Sequence, residues 1–337
     1  RAMRRLPCSA RSTSSWSGCI RKPVEHILPY SRRPEDLIPG KAMYFATAMN
    51  IGNSVEGLLV ESQDGRPTKI EGNPNHPVNR GAASNYAQAW VADLYDADRA
   101  GKPLSNGTEV EWAAADAMLA GAADRLGDGA GTALLIPCLP SPTFQRMVTE
   151  LRAKAPKVRV YRHDLTDTPN AHAGASLVGI GGLQAAYSYE NAKVILSMDS
   201  DFLSTDGDIV SNSRGFGAGR NIDETKTVHR LYVAEARHSL TGTMADHRLR
   251  IQSSQIVGVL QAIAAELGKH GVSVPGAGAV AAPGTSAKWV SAVAEDLAGS
   301  KGASLVVVGE RQPAYAHALA NAINSVLGNV GKTVMWR

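Results

Sequence analysis

Between Gly57 and Gly81 the chain has few conformations open to it. Gly57–Glu61 (GLLVE) is an apolar run that alternates into polar residues, as a half-buried strand does, and Pro67–Glu71 resumes an extended pattern. Asp64-Gly65 between them is a tight-turn pair, so the two runs close as a hairpin. Gly72-Asn73-Pro74-Asn75-His76-Pro77 then places turn formers so densely that regular structure breaks off. Residue types alone therefore specify a β-hairpin opening into a rigid loop.

The rest of the chain is bounded by size and charge. With 337 residues it can bury a substantial core and hold two domains. A 44% hydrophobic content and a mean hydropathy of −0.15 fit a soluble globular protein, and no run of 18 apolar residues exists to span a bilayer. The formal charge of +4 is concentrated: residues 1–41 carry nine Lys/Arg against three acids, a net of +6, which leaves −2 for the body. Such an arm suits an acidic partner, nucleic acid or anionic lipid, and the partner reading is preferred. The three cysteines, Cys8, Cys19 and Cys138, cannot supply four thiolates to a cubane cluster, and no C-x-x-C pair is present.

The chain opens on Arg1 rather than Met, which reads as a start inside something longer. Arg4-Arg5 and Gly18-Cys19 stand where a twin-arginine signal and a lipid-modified cysteine would sit, but the Ser-rich residues between them lack the apolar core of an export signal. Residues 20–40 contain four prolines among spaced apolar side chains and read as a strap pinned to another surface. Met43–Met49 reads as a strand. Val110–Leu126 has Trp112, Ala115, Met118, Leu119, Ala122 and Leu126 at helical spacing. Thr132–Pro137 reads as a buried strand, and Ser141-Pro142 caps a helix running through Ala153. Val158–Tyr161, Lys193–Met198 and Val228–Ala234 are further strands, and Ser253-Ser254 caps a helix to Leu267. Phe202–Lys226 reads as a long loop and His270–Ser286 as a Gly/Ala/Pro linker. Helices at Lys288–Leu297 and Pro313–Leu327 flank a strand at Ser304–Gly309. The last strand, Thr333–Trp336, looks unpacked, as in an incomplete domain. Strands alternating with helices imply a mostly parallel sheet covered on both faces.

No catalytic residue set is visible. Gly215–Gly219 and Gly179–Gly182 lack the strand-turn-helix context and spacing of a phosphate loop. His229, His238 and His247 recur every nine residues, which does not converge ligands, and they read as surface or turn residues. Asp199, Asp201, Asp206 and Asp208 offer oxygens for Ca²⁺ without the pattern of a known calcium loop. G-x-S-x-G, H-E-x-x-H and P-loop motifs are absent.

The order of residues adds a resemblance. The hairpin, the loop GNPNHPVNRG, the strand Glu190–Leu196 (ENAKVIL), LYVAEAR at Leu231–Arg237, ADHRLRI at Ala245–Ile251 and Gly328-Asn329-Val330-Gly331 fall in the order found in the molybdopterin oxidoreductases. That resemblance implies an iron–sulfur cysteine at position 84 and a lysine at position 86. Here they are Ser84 and Tyr86, and a serine hydroxyl replaces a thiolate poorly. It also implies an Asp-Pro-Arg turn where Glu235-Ala236-Arg237 stands, and a Pro-Gly-Thr-Asp turn where Gln252–Gln255 stands. Asp199-Ser200-Asp201 takes the place of a glycine-bearing loop near the cofactor diphosphate, where carboxylates repel an anion. With the strap GCIRKPVEHILPYSRRPEDLIPGKAMYFATA and the turn MDSDFL, the chain most resembles the B subunit of bacterial alternative complex III.

The fold class expected is thus an α/β, molybdopterin-oxidoreductase-like (DMSO reductase superfamily) fragment with a small β-rich N-terminal domain. The divisions expected are a basic proline-rich arm (1–40), a degenerate Fe–S-like domain (41–105), an α/β domain (106–269), a linker (270–287) and an incomplete α/β segment (288–337). The resemblance implies a cofactor-free docking part of a membrane quinol-oxidising complex, peripheral on the periplasmic face of the inner membrane. Its partners would be a multihaem cytochrome and quinol-binding integral membrane subunits. No catalysis, metal, molybdopterin or nucleic acid is expected in this stretch, with Fe–S clusters expected beyond Arg337. The degenerate positions Ser84, Tyr86, Asp199, Glu235 and Arg237 mark the lost contacts. Two alternatives stand beside it: a genuine molybdopterin-dependent oxidoreductase, and a module binding nucleic acid or lipid through the basic arm.

Overall fold

The computed structural model describes residues 36–51, 54–137, 139, 141–163, 168–225, 227–278 and 286–337. The three cysteines and almost all of the basic arm and its proline strap lie outside them.

The hairpin forms as its residues dictate. β1 (Met43–Ile51), β2 (Ser54–Gln63) and β3 (Arg66–Gly72) make an antiparallel sheet in the order β1-β2-β3. Asp64 and Gly65 both take positive φ, 50° and 81°, which is the backbone a two-residue hairpin turn requires. Leu58 and Ile70 are buried under Ala87 of α1 (Asn85–Asp93), a helix not expected from the sequence. A second hairpin, β4 (Leu104–Ser105) and β5 (Thr108–Glu109), turns through Asn106-Gly107, again with φ positive at both. It too lies outside the expected elements, although Asn-Gly is a strong hairpin signal.

α2 (Trp112–Leu126), β6 (Ala133–Ile136), α3 (Pro142–Lys154) and β7 (Arg159–Arg162) follow at the expected places. Ser141 caps α3 by accepting from the Phe144 amide at 3.2 Å, with Pro142 at the first helical position. β6 and β7 pair in parallel, but β6 is not the buried strand its composition suggested, since Leu135 is 72% exposed. α4 (Pro169–Leu177) and β8 (Ala185–Tyr187) lead into the main sheet.

That sheet contains β9 (Val194–Met198), β10 (Arg230–Glu235), β11 (His247–Arg250) and β12 (Ser304–Val308), all parallel, in the order β11-β10-β9-β12. Alternate residues bury on opposite faces. Leu196, Met198, Tyr232, Ala234 and Val306 join one apolar cluster, while Ile195, Leu231, Val233, Leu305 and Val307 join another. Both faces are dry, which is why these strands read as continuous apolar runs.

α5 (Ile209–Ala218) and α6 (Ile222–Thr225) lie where a long loop was expected. Asp208 caps α5 through Ser211, and Phe216 buries against Phe202, so the glycines of this stretch do not unwind it. Gly215 and Gly219 instead permit close approach of Glu190 and His229. After α7 (Leu240–Thr243), α8 (Ile256–Lys269) starts from a short 3-10 turn whose capping box is Gln252/Gln255 rather than the serines. α9 (Ala287–Gly299) and α10 (Ala314–Val326) cover the same face as α8. The final strand β13 (Val334–Trp336) is packed, not open: it pairs antiparallel with β8, and Val334 is fully buried.

The free edge of β12 is closed by side chains. Asn324 on α10 accepts from the Val306 amide (3.0 Å) and donates to the Val306 carbonyl (2.8 Å). Asn329 braces it from behind, and Thr333 donates to the Ser304 carbonyl at 2.6 Å. The Gly-Asn-Val-Gly phrase thereby serves the fold, since Asn329 is buried and bonded on both sides.

His229 is buried against Phe216 with neither ring nitrogen bonded. Burial first, then the Arg220 charge, push its pKa down to about 4, against a weaker opposing pull from Asp246. Above pH 6.5 the imidazole is neutral folded or unfolded. Below that only the unfolded chain takes up the proton, so stability should fall between pH 6.5 and 4, by about 2 kcal/mol for this group. Urea unfolding at pH 7 and pH 5 should show that slope, reduced in His229→Phe; an equal slope in the variant would assign the acid sensitivity elsewhere.

Candidate functional site

Two places gather the residues that sequence reading singled out. The first is the loop after the hairpin. Asn79, 1% exposed, accepts from the Gly57 amide (3.0 Å) and donates to the carbonyls of Gly57 (2.8 Å) and Ala82 (2.6 Å). Asn73 accepts the Gly81 amide at 3.0 Å, and Arg80 and Gly81 both have positive φ. A Cβ on Gly57 would enter the His76 ring, and one on Gly72 the Ala82 carbonyl. The phrase GNPNHPVNRG thus holds its own shape through backbone contacts with β2 and β3.

Ser84 ends this loop as the N-cap of α1. Its Oγ accepts from the Ala87 amide (3.1 Å), and its own amide donates to the buried carboxylate of Glu56 (2.9 Å). The hydroxyl is thereby committed to the helix, and an acid stands beside it. These residues do not fit an iron–sulfur cluster held by thiolates. Tyr86, in the first turn of α1, is 61% exposed. Replacing Ser84 by Ala should cost about 1 kcal/mol through the lost cap. Thermal melting would read this as a drop of a few degrees, and no drop would mean that the hydroxyl is not the cap acceptor.

The second place is a crevice of about 200 Å³ outside the carboxyl ends of the parallel strands, lined by Asp199, Ser200, Asp201, Asp206, Glu235, Ala236, Arg237, Ser239, Ser253, Glu310 and Arg311. In open parallel sheets ligands bind here, where the strand order reverses on either side of β9. Five sequence-marked positions, Asp199, Asp201, Asp206, Glu235 and Arg237, meet in it. Asp199 follows β9 with a φ of 59°, and its carbonyl lies so close to Gly309 that no Cβ fits there. Its carboxylate accepts from Gln312 (2.8 Å). Glu235, 3% exposed, pairs with Arg248 (2.5 Å) and accepts from the Ser239 hydroxyl (2.5 Å). Asp201 accepts from the amide and hydroxyl of Thr241 at 3.0 and 2.9 Å. Asp206 accepts from the Asp201 amide and Glu310 from the Gly207 amide. Burial, then the neighbouring Asp206, raises the Glu310 pKa, and the Gly207 amide and Arg311 oppose it.

Five carboxylates therefore surround a space in which, among the described residues, Arg237 and Arg311 are the only cationic lining side chains. A dinucleotide diphosphate would meet repulsion from these carboxylates. The lining does not fit an anionic dinucleotide cofactor. Gln312, Glu310 and Thr241 escaped sequence reading, because nothing local marks a residue whose partner lies 40 to 113 positions away. Asp208 does not join the crevice, being the α5 cap, and no cluster of three or more His, Cys, Asp or Glu among the described residues could hold a metal. His229, His238 and His247 do not converge: one is buried by Phe216, one lies near Thr243, and one stacks on Tyr232. His229 is thus a core residue rather than the surface histidine expected.

No family model matches the sequence. The chain is 26% identical over 319 residues to the menaquinone reductase, molybdopterin-binding-like subunit of Nitratidesulfovibrio vulgaris (strain Hildenborough). The match takes in 88% of this chain and 45% of that protein. Among solved structures, acetylene hydratase from Pelobacter acetylenicus superposes with a TM-score of 0.54 over 84% of this chain and 43% of its own, at 11% identity. The two share a fold. The α/β class read from the sequence stands, and this chain spans less than half the length of either protein. No helix among the described residues is long and apolar enough to cross a membrane.

Proposed function

We propose that this chain is a cofactor-free structural and docking part of a membrane-associated, quinone-linked oxidoreductase complex of the alternative complex III kind. The carrying observation is the crevice: at the position where the fold binds its ligand, Asp199, Asp201, Asp206, Glu235 and Glu310 are turned onto the protein's own donors. The relative named for menaquinone reductase supplies the quinone link. In this reading the scaffold is kept because neighbouring subunits bind its outside: integral membrane subunits that handle quinol, and a multihaem cytochrome on the periplasmic face. Ser84 belongs to the same account, since its hydroxyl serves as a helix cap.

Electron transfer then passes through other parts of the complex, and Fe–S clusters sit beyond Arg337. Metal analysis of the purified complex tests the reading. The expected result is no stoichiometric molybdenum or tungsten and no pterin fluorescence after denaturation, with iron accounted for by haem and clusters elsewhere. One molybdenum or tungsten per chain would end the proposal and restore the enzyme alternative.

A further inference from the structure

The strand edges of this protein are not treated alike. β3 carries Arg66, Pro67 and Lys69, β11 is a four-residue edge with two arginines, and Asn324 seals β12. Charge, proline, short length and side-chain cover are the usual means of keeping an edge from pairing. β1 has none of them. Its nine residues, MYFATAMNI, include no charge and no proline. It is an outer strand of its sheet, and among the described residues no main-chain bond reaches its free side. Tyr44 and Phe45, on its two faces, are 60% and 53% exposed.

The groups offered at that edge follow from the ladder behind it. Gly57 on β2 turns its amide and carbonyl away from β1, onto Asn79 and Asn73. Ala48 stands opposite Gly57. Bonded and non-bonded pairs alternate along an antiparallel ladder, so Ala48 directs its own amide and carbonyl outward, as do Tyr44, Ala46 and Asn50. A two-fold axis at Thr47 pairs all of these with a second β1: Tyr44 meets Asn50 and Ala46 meets Ala48, each pair exchanging both its bonds. Between them Met43 meets Ile51, Phe45 meets Met49, and Thr47 meets its own copy. This is the face on which Met49 and Ile51 already pack toward Leu58 and Ile70. No like charges are opposed, and aromatic–apolar and Thr–Thr pairs across strands are favourable.

We propose that β1 pairs antiparallel with β1 of a second copy of this chain about a two-fold axis at Thr47, joining the two hairpin sheets into one. Such a contact uses the same surface on both copies and closes on itself. The chain's own stretch before β1 suits the edge less well, because Pro23, Pro29 and Pro34 have no amide to give.

Sedimentation of the 337-residue chain over a range of concentrations should show a monomer–dimer equilibrium. Thr47→Lys, at an exposed position, would set two ammonium groups face to face. It should raise the dissociation constant by about tenfold or more and leave melting of the monomer unchanged. Thr47→Cys gives a positive readout, since Cα atoms of a non-bonded pair lie about 4.5 Å apart, within reach of a disulfide. With glutathione disulfide as oxidant, reduced to two glutathiones as the thiols join, peptide mapping should find position 47 linked to position 47 in the chain and in the purified complex. A monomer at every concentration, or a dimer indifferent to Thr47→Lys, would overturn the proposal. Failure of the 47–47 link in the complex would assign the edge to another subunit or to the chain's own N-terminal stretch, and do the same.

Discussion

Replacing Asn324 by Ala should destabilise the α/β part by about 4 kcal/mol, measured as a fall in the urea midpoint without change in slope. The amide of Asn324 is 1% exposed and answers both main-chain groups of Val306 on the edge that β9 does not reach. Alanine would leave a buried N–H and a buried carbonyl unpaired and would take the Asn329 amide's acceptor with them. Each orphaned group costs about 1–3 kcal/mol, well above the gain from making one hydrogen bond. Asn324→Asp separates the contributions, because it keeps an acceptor for the Val306 amide and loses the donor to its carbonyl. It should also destabilise and should speed exchange at Val306. A loss under about 1 kcal/mol for the alanine variant would mean that water reaches the edge of β12 and that the side chain is not its cap.

Gly72→Ala should be as severe, about 4 kcal/mol, and confined to the hairpin unit. A Cβ at this position would run into the Ala82 carbonyl, with the carbonyl carbons of Gly81 and Ala82 each 2.5 Å away. The obstacle is backbone, which cannot rotate aside as a side-chain tip would. It is also bonded in place, for Ala82 accepts from Asn79 and Asn73 accepts from Gly81. The loop would have to leave β3, and Asn79 would lose its buried partners on Gly57. Limited proteolysis should then cut between residues 73 and 84, while the four-stranded sheet keeps its protection. Gly65→Ala is the informative comparison. It is strained by its positive φ but meets no atom within 4 Å, so it should cost only about 1 kcal/mol. Equal effects at the two positions would show that backbone angle, and not collision, sets the penalty.

Most of the secondary structure was legible because its causes are local. Asp64-Gly65 needed only its two residue types to fix the first hairpin, and Ser141-Pro142 needed only its own order to start α3. The apolar runs of β9, β10 and β12 announced strands buried on both faces, which the two clusters on either side of the sheet explain. The failures are equally physical. Residues 209–218 are helical despite their glycines, because Asp208 caps them and Phe216 has an apolar site to enter, and neither fact is visible in composition. β6 looked buried because ALLI is apolar, but apolarity records what a strand seeks and not whether its partner is at hand.

The candidate site divides in the same way. Residue order alone marked Ser84, Asp199 and Glu235 as departures from the pattern the chain resembles, and led to the expectation of carboxylates where that pattern approaches an anion. It could not show that Asp199 reaches Gln312, that Glu235 is spoken for by Arg248 and Ser239, or that Glu310 returns from over a hundred residues away to face Asp206. Charge and turn chemistry are properties of a few neighbouring residues, so sequence determines them. Which carboxylate finds which donor depends on how the strand ends are brought together, and only the tertiary structure decides that.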